Sequence, residues 1–89
     1  MSELKRYLVR SVCDWALDQN LTPHVVVDAT FAGTRLPERY VENGRIVLNV
    51  HPRAVQQFQL ADEGLSFSAR FGGRPMQVVV PLAAMLAVY

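Results

Sequence analysis

The feature that most limits what this chain can fold into is its punctuation. Asn43-Gly44, His51-Pro52, Asp62-Glu63-Gly64, Gly72-Gly73 and Pro81 interrupt it about every ten residues, and breaks that close leave room for short strands and not for helices. The runs between them have strand composition. His24 to Thr30 is dense in β-branched residues, Val55 to Ala61 alternates in part with Phe58 and Leu60 on one face, and Leu65 to Phe71 alternates throughout,. In that last run Leu65, Phe67, Ala69 and Phe71 share one side of an extended strand, and Ser66, Ser68 and Arg70 share the other,. Gly72-Gly73 then turns the chain into Met76 to Val80,.

Phe31 to Thr34 reads as a turn region, and Pro37 sets Glu38 to Val41 at a sheet edge or strand start,. Asn43-Gly44, the strongest hairpin signal, is expected to join that segment to Arg45 to Val50,. After Pro81 a single helical turn through Ala84 precedes a last strand, Met85 to Tyr89. Three successive hairpins make a meander, and short bent strands of this kind predict a small open barrel.

Ahead of the strands lies one helix, expected from Glu3 to Gln19, with Ser2 as its N-cap, Glu3 at the positive end of its dipole, and Asn20 and Thr22-Pro23 as its stop,. On a helical wheel Leu4, Leu8, Val9, Val12, Cys13, Trp15 and Ala16 cover about half the circumference, wider than the ~100° stripe that one core contact needs,. Two readings stay open: a broad core-facing stripe, or a helix that packs on its own domain and on a second copy. The fold class is mostly β, an N-terminal α-helix followed by a small bent open antiparallel barrel, and residues 1–89 form a single domain.

At 89 residues the chain can bury only about 60 to 65% of its unfolded surface, which leaves a marginal core that association would help. Hydrophobic residues at 51% and charged ones at 19% exclude a disordered chain. A net charge of +1, with one Lys and no run of Arg, supplies little of the phosphate neutralisation on which nucleic-acid binding rests. The longest apolar stretch, Val78 to Tyr89, is broken by Pro81 and falls short of the ~20 residues that span a bilayer. No signal peptide is expected at the start of the chain, and the single cysteine, Cys13, fits a reducing compartment. A cytoplasmic protein without membrane contact is expected. The stretch stops at Ala87-Val88-Tyr89, inside what reads as a strand, so the expectation is a piece of a longer chain.

Catalytic chemistry finds little support. His24 and His51 stand beside no nucleophile or orienting carboxylate in a known pattern, so each is expected to be a loop or strand-edge histidine, and replacing both by Ala is expected to leave function intact,. Cys13 packs as a small hydrophobe on the helix. Asp28, inside an apolar strand, is expected to pair with an Arg or Tyr,. Gly72-Gly73 lacks the spacing and following helix of a phosphate loop,. No enzyme activity, cofactor or metal is expected.

Binding is better supported. Phe67 and Phe71, with Arg70 and Arg74 nearby, could stack bases,, or they could be core. The small residue between them, Ala69, would leave a trough for another side chain, and a trough beside a strand edge takes extended peptides. Asn49 is a polar strand residue able to orient such a peptide.

Five segments carry a resemblance that covers nearly the whole chain in order. Tyr7-Leu-Val-Arg10 with Asp14-Trp15-Ala-Leu-Asp18, then Leu21-Thr-Pro-His-Val-Val-Val-Asp28, Gly44-Arg-Ile-Val-Leu-Asn49, Phe67-Ser-Ala-Arg-Phe-Gly-Gly73 and Val80-Pro-Leu-Ala-Ala-Met-Leu-Ala-Val-Tyr89 strongly resemble the stringent starvation protein B (SspB) family. The resemblance implies a non-enzymatic adaptor for the ClpXP protease. It would bind the ssrA degradation tag of stalled-translation products as an extended peptide and pass tagged polypeptides to the ClpX unfoldase. It also implies an Sm-like or SH3-like barrel, and a homodimer formed mainly through the helix, with Leu4, Leu8, Val12 and Trp15 at the interface. Val26, Val27, Asn49, Phe67, Ala69, Arg70 and Phe71 are expected in or beside the peptide groove. Family members continue into a flexible tail that docks on ClpX and raises the effective concentration of captured substrate. That tail is absent here, so capture without delivery is expected of these residues alone. The alternative is an Sm-like barrel binding single-stranded RNA through Phe67 and Phe71.

Overall fold

The structure, a computed structural model, describes residues 2–89, with side chains from Leu4 onward; the capping roles expected of Ser2 and Glu3 lie outside the described side chains. Helix α1 spans Ser2–Asp18. It ends where Asn20 turns left-handed (φ 59°), with the Leu21 amide donating to the Ala16 carbonyl and the Asn20 amide to that of Leu17, the paired closing bonds of a Schellman motif. Pro23 follows and cannot prolong a helix,. Six strands come next: β1 His24–Asp28, β2 Arg45–Asn49, β3 Val55–Ala61, β4 Gly64–Phe71, β5 Arg74–Pro81 and β6 Met85–Val88.

They form two three-stranded antiparallel sheets, ordered β2-β1-β6 and β3-β4-β5, and the barrel is not closed. The alternation of the strands decides what lies between the sheets. Val25, Val27, Ile46 and Leu48 come inward from the first, and Leu65, Phe67, Val78 and Val80 from the second, all buried. Phe67 heads the fully buried side chains by volume. Helix α1 adds Val9 and Cys13 to this core and packs over β3, β6 and the 3₁₀ turn Leu82–Ala84. An ion pair from Arg6 Nε to Asp62 Oδ1 (2.8 Å) ties it to the β3–β4 turn.

The expected architecture is present, a helix followed by a mostly β open barrel, with one rearrangement. Glu38 to Val41 is not a strand start: Glu38–Tyr40 forms a 3₁₀ turn in which the amides of Tyr40 and Val41 bond back to the carbonyls of Pro37 and Glu38. With those amides satisfied locally, the Asn43-Gly44 turn (φ 53° and 75°) closes only one bridge, Glu42 to Arg45. β2 pairs with β1 instead, from His24 opposite Asn49 to Asp28 opposite Arg45. The connection between them is anchored at Arg35, which exchanges backbone hydrogen bonds with Val79 of β5.

Strand β1 also ends two residues earlier than expected. Asp28 Oδ1 accepts from the Thr30 hydroxyl (2.6 Å) and the Thr30 amide (2.9 Å), so the carboxylate that was expected to pair with Arg or Tyr builds a turn. Those two bonds hold the Asp28 carboxyl below the ordinary carboxylate range. At Gly64 (φ 143°) an added Cβ would collide with the Val80 carbonyl oxygen, which is why glycine opens β4.

Candidate functional site: a cleft along a free sheet edge

In the order β2-β1-β6 no strand among the described residues pairs with the far side of β2, where only Arg45, at its start, is bridged, to Glu42. Ala29 N donates to Gly44 O (2.8 Å) and Val50 N to Pro23 O (3.0 Å), which fixes the phase of the ladder. Even-numbered residues of β2 point their backbone groups at β1, so Val47 and Asn49 point theirs outward. Four consecutive residues, Ile46 to Asn49, line one cleft of about 250 Å³. Alternate side chains of a strand face opposite ways, so a run of four can share a cleft only along the strand's edge.

Across the cleft stand Ala69, Arg70 and Phe71 at the end of β4, with Tyr40 and Ala54 closing it. The strand Leu65 to Phe71 thus changes role along its length. Leu65 and Phe67 are 1% exposed, whereas Ala69 and Phe71 are only partly buried, where they line the cleft. Tyr40 lies against Phe71 with centroids 5.8 Å apart, and Arg70 Nη1 donates to the Gly73 carbonyl at 3.0 Å. The cleft continues in two directions. One branch, about 320 Å³, runs past Ala54, Arg53, Ser68 and Pro75; the other, about 290 Å³, passes Asn49, His51, Arg53 and Thr22. Ala54 borders all three. Arg53 and Arg70 are the charged side chains lining them, and among the described residues no Asp or Glu does.

Of the expected groove residues, Asn49, Ala69, Arg70 and Phe71 come together here. Val27 and Phe67 are core residues, 0% and 1% exposed, rather than groove wall. Val26 is half-buried opposite Val47 and Ala87, outside the cleft lining. β1 is the middle strand of its sheet and has no free edge to offer,. The base-stacking platform also fails as a pair, since a buried Phe67 cannot receive a base. Sequence reasoning missed Tyr40, Val47, Arg53 and Ala54. Val47 sits in the continuous apolar run Ile46-Val-Leu48, so neither its exposure nor the edge position of its strand was visible in the pattern.

The residues once weighed for catalysis are engaged separately. His24 stacks on Tyr89 at 5.4 Å, His51 Nδ1 accepts from the Arg53 amide, and Cys13 is a buried free thiol. Among the described residues no group of three or more His, Cys, Asp or Glu could hold a metal ion. No described helix is long and apolar enough to cross a membrane.

Comparison with known proteins decides the lineage. The family model described as SspB, stringent starvation protein B, matches residues 3–89. The chain belongs to the stringent starvation protein B family. It is 41% identical over 88 residues to the stringent starvation protein B homolog of Haemophilus influenzae, an alignment that covers 99% of this chain and 59% of the relative. The chain thus spans about three-fifths of that SspB homolog's length. Helix α1 and all six strands lie within the family match except Ser2, so the cleft and its β2 edge belong to the part shared with the family.

Proposed function

We propose that this domain binds the ssrA degradation tag as an extended peptide in the cleft beside β2, and that in a longer chain it serves as a non-enzymatic adaptor delivering tagged polypeptides to the ClpX unfoldase of ClpXP. The observation that carries this reading is a free strand edge facing a trough. The outward backbone groups of Val47 and Asn49 offer a ladder to an added strand, and Ala69, flanked by Arg70 and Phe71, leaves a gap for a side chain,. Arg53 and Arg70, with no lining carboxylate opposing them, favour a peptide that carries acidic side chains. A binding role also accords with the dispersed engagement of His24, His51 and Asp28. The same reading includes a homodimer through the exposed face of α1 and a cytoplasmic location.

Titrating a fluorescently labelled ssrA-type peptide tests it. The peptide is expected to saturate one site per chain, and Ala69→Phe is expected to weaken binding at least about tenfold, as one misplaced hot-spot side chain does, with the fold retained by circular dichroism. Equal affinity in the variant would remove the trough from the site. A single-stranded oligonucleotide serves as the counter-ligand: peptide affinity should fall only modestly with salt, whereas RNA affinity would fall steeply.

A further inference from the structure

The segment between β2 and β3 borders all three branches of the cleft through Ala54, and its turn is held by the side chains of Asn49 and His51 together with backbone bonds. The His51 amide donates to Asn49 Oδ1 (2.9 Å). The His51 ring then accepts at Nδ1 from the Arg53 amide (3.0 Å), and the His51 carbonyl accepts from the amides of Ala54 (2.8 Å) and Val55 (3.2 Å). The imidazole therefore does what Asp or Asn does at a helix start, satisfying the amide two residues on. It can do so only while Nδ1 carries no proton, because an imidazolium has two donors and no acceptor.

We infer that His51 is a positioning residue of the cleft whose protonation releases the Arg53 amide, loosens the 51–54 turn and weakens peptide binding. It acts through Arg53 and Ala54. The neighbouring charged and titratable groups set the background. Arg53 stands on the same turn, Arg70 shares a branch of the cleft with it, and His24 lies opposite Asn49 on β1. Among the described residues no Asp or Glu lines the branch that holds His51, so no carboxylate there would compensate an added positive charge. On this inference His51→Ala weakens binding, against the expectation that replacing both histidines leaves function intact.

The inference rests on the peptide-binding reading, and the test separates the two. Affinity for the labelled ssrA-type peptide is measured from pH 8 to pH 5 in about 0.5 M salt, which screens charge attraction between cleft and peptide. For the unmodified protein it is expected to fall about threefold to tenfold on acidification, the worth of one neutral hydrogen bond. His51→Asn keeps an acceptor that does not titrate, so it should bind like the unmodified protein at pH 8 and stay flat after correction for the peptide. His51→Ala should be weak throughout. Parallel profiles for the unmodified protein and His51→Asn overturn the inference. An NMR titration supplies the independent arm: the Arg53 amide resonance should move with the protonation of His51 Nδ1. If no peptide binds at pH 8 the tag reading fails, and an Arg53 amide indifferent to His51 protonation sinks the positioning role whether or not peptide binds.

Discussion

Cys13 illustrates how much a single position depends on what is packed over it. Burial pushes its thiol above the ordinary range, Asp14 adds to the rise, and Arg10 works against it. A thiol held protonated is a poor nucleophile, so Cys13, buried as the small hydrophobe expected of it, is chemically quiet. Labelling by an aromatic disulfide reagent at pH 8 should be at least about tenfold slower in the native protein than in urea. Equal rates would show that the thiol is neither buried nor protonated as described. Asp28 makes the same point with opposite sign, because its two bonds from Thr30 favour the charged form. The packing of Cys13 was legible in the sequence, and the partner of Asp28 was not. Asp28 was expected to reach a distant Arg or Tyr, and it bonds a neighbour two positions away.

At the scale of the element, the wide apolar arc of α1 divides by burial. Val9, Cys13 and Ala16 are buried, Val12 is half-buried, and Leu4, Leu8 and Trp15 are 52%, 56% and 56% exposed. The arc is two stripes, one facing the core and one facing outward, with Tyr7 extending the second. An exposed row of large apolar side chains is what an isologous helix contact needs. Leu8→Glu or Trp15→Glu should therefore raise the dissociation constant of the proposed homodimer at least about thirtyfold, the effect of one hot-spot residue, leaving the helical signal unchanged. Sedimentation velocity across a concentration series measures it. A variant that stays dimeric would move the interface elsewhere; a parent that is monomeric at high concentration would remove the homodimer. Val12, half-buried beside the core stripe, should be the least sensitive of the four expected interface positions to a polar change.

For the whole molecule, the two sheets are joined around Phe67, and this separates a core role from a groove role. Phe67→Ala removes a fully buried ring and should cost about 3 to 5 kcal/mol, a large share of the ~5 to 15 kcal/mol available to a domain. Urea unfolding followed by circular dichroism should show a midpoint lowered to the edge of stability. A variant of unchanged stability that merely loses peptide would put the ring back in the groove. The cleft exists because β2 has a strand neighbour on only one side, and Ala69 to Phe71 of β4 stand across from it. Both are properties of how the sheets are ordered, and neither belongs to any strand alone.

What the sequence determined by itself was local. Periodicity and turn chemistry act over a few residues, so the helix, the strands and the turns at Asp62-Glu63-Gly64 and Gly72-Gly73 were all readable, and so was the alternation of Leu65 to Phe71. Ala69 and Asn49 could be singled out because a small residue between two rings, and a polar one between aliphatics, depart from the local pattern. The tertiary structure decided the pairings. It set β1 and not Glu38 to Val41 beside β2, since the amides of Tyr40 and Val41 close a turn before a ladder can form. It buried Val27 and Phe67 and brought Tyr40, Ala54 and Arg53 to the cleft. Side chains far apart in sequence meet only once the sheets have fixed which edges are covered, and no short-range pattern encodes which edge is left free.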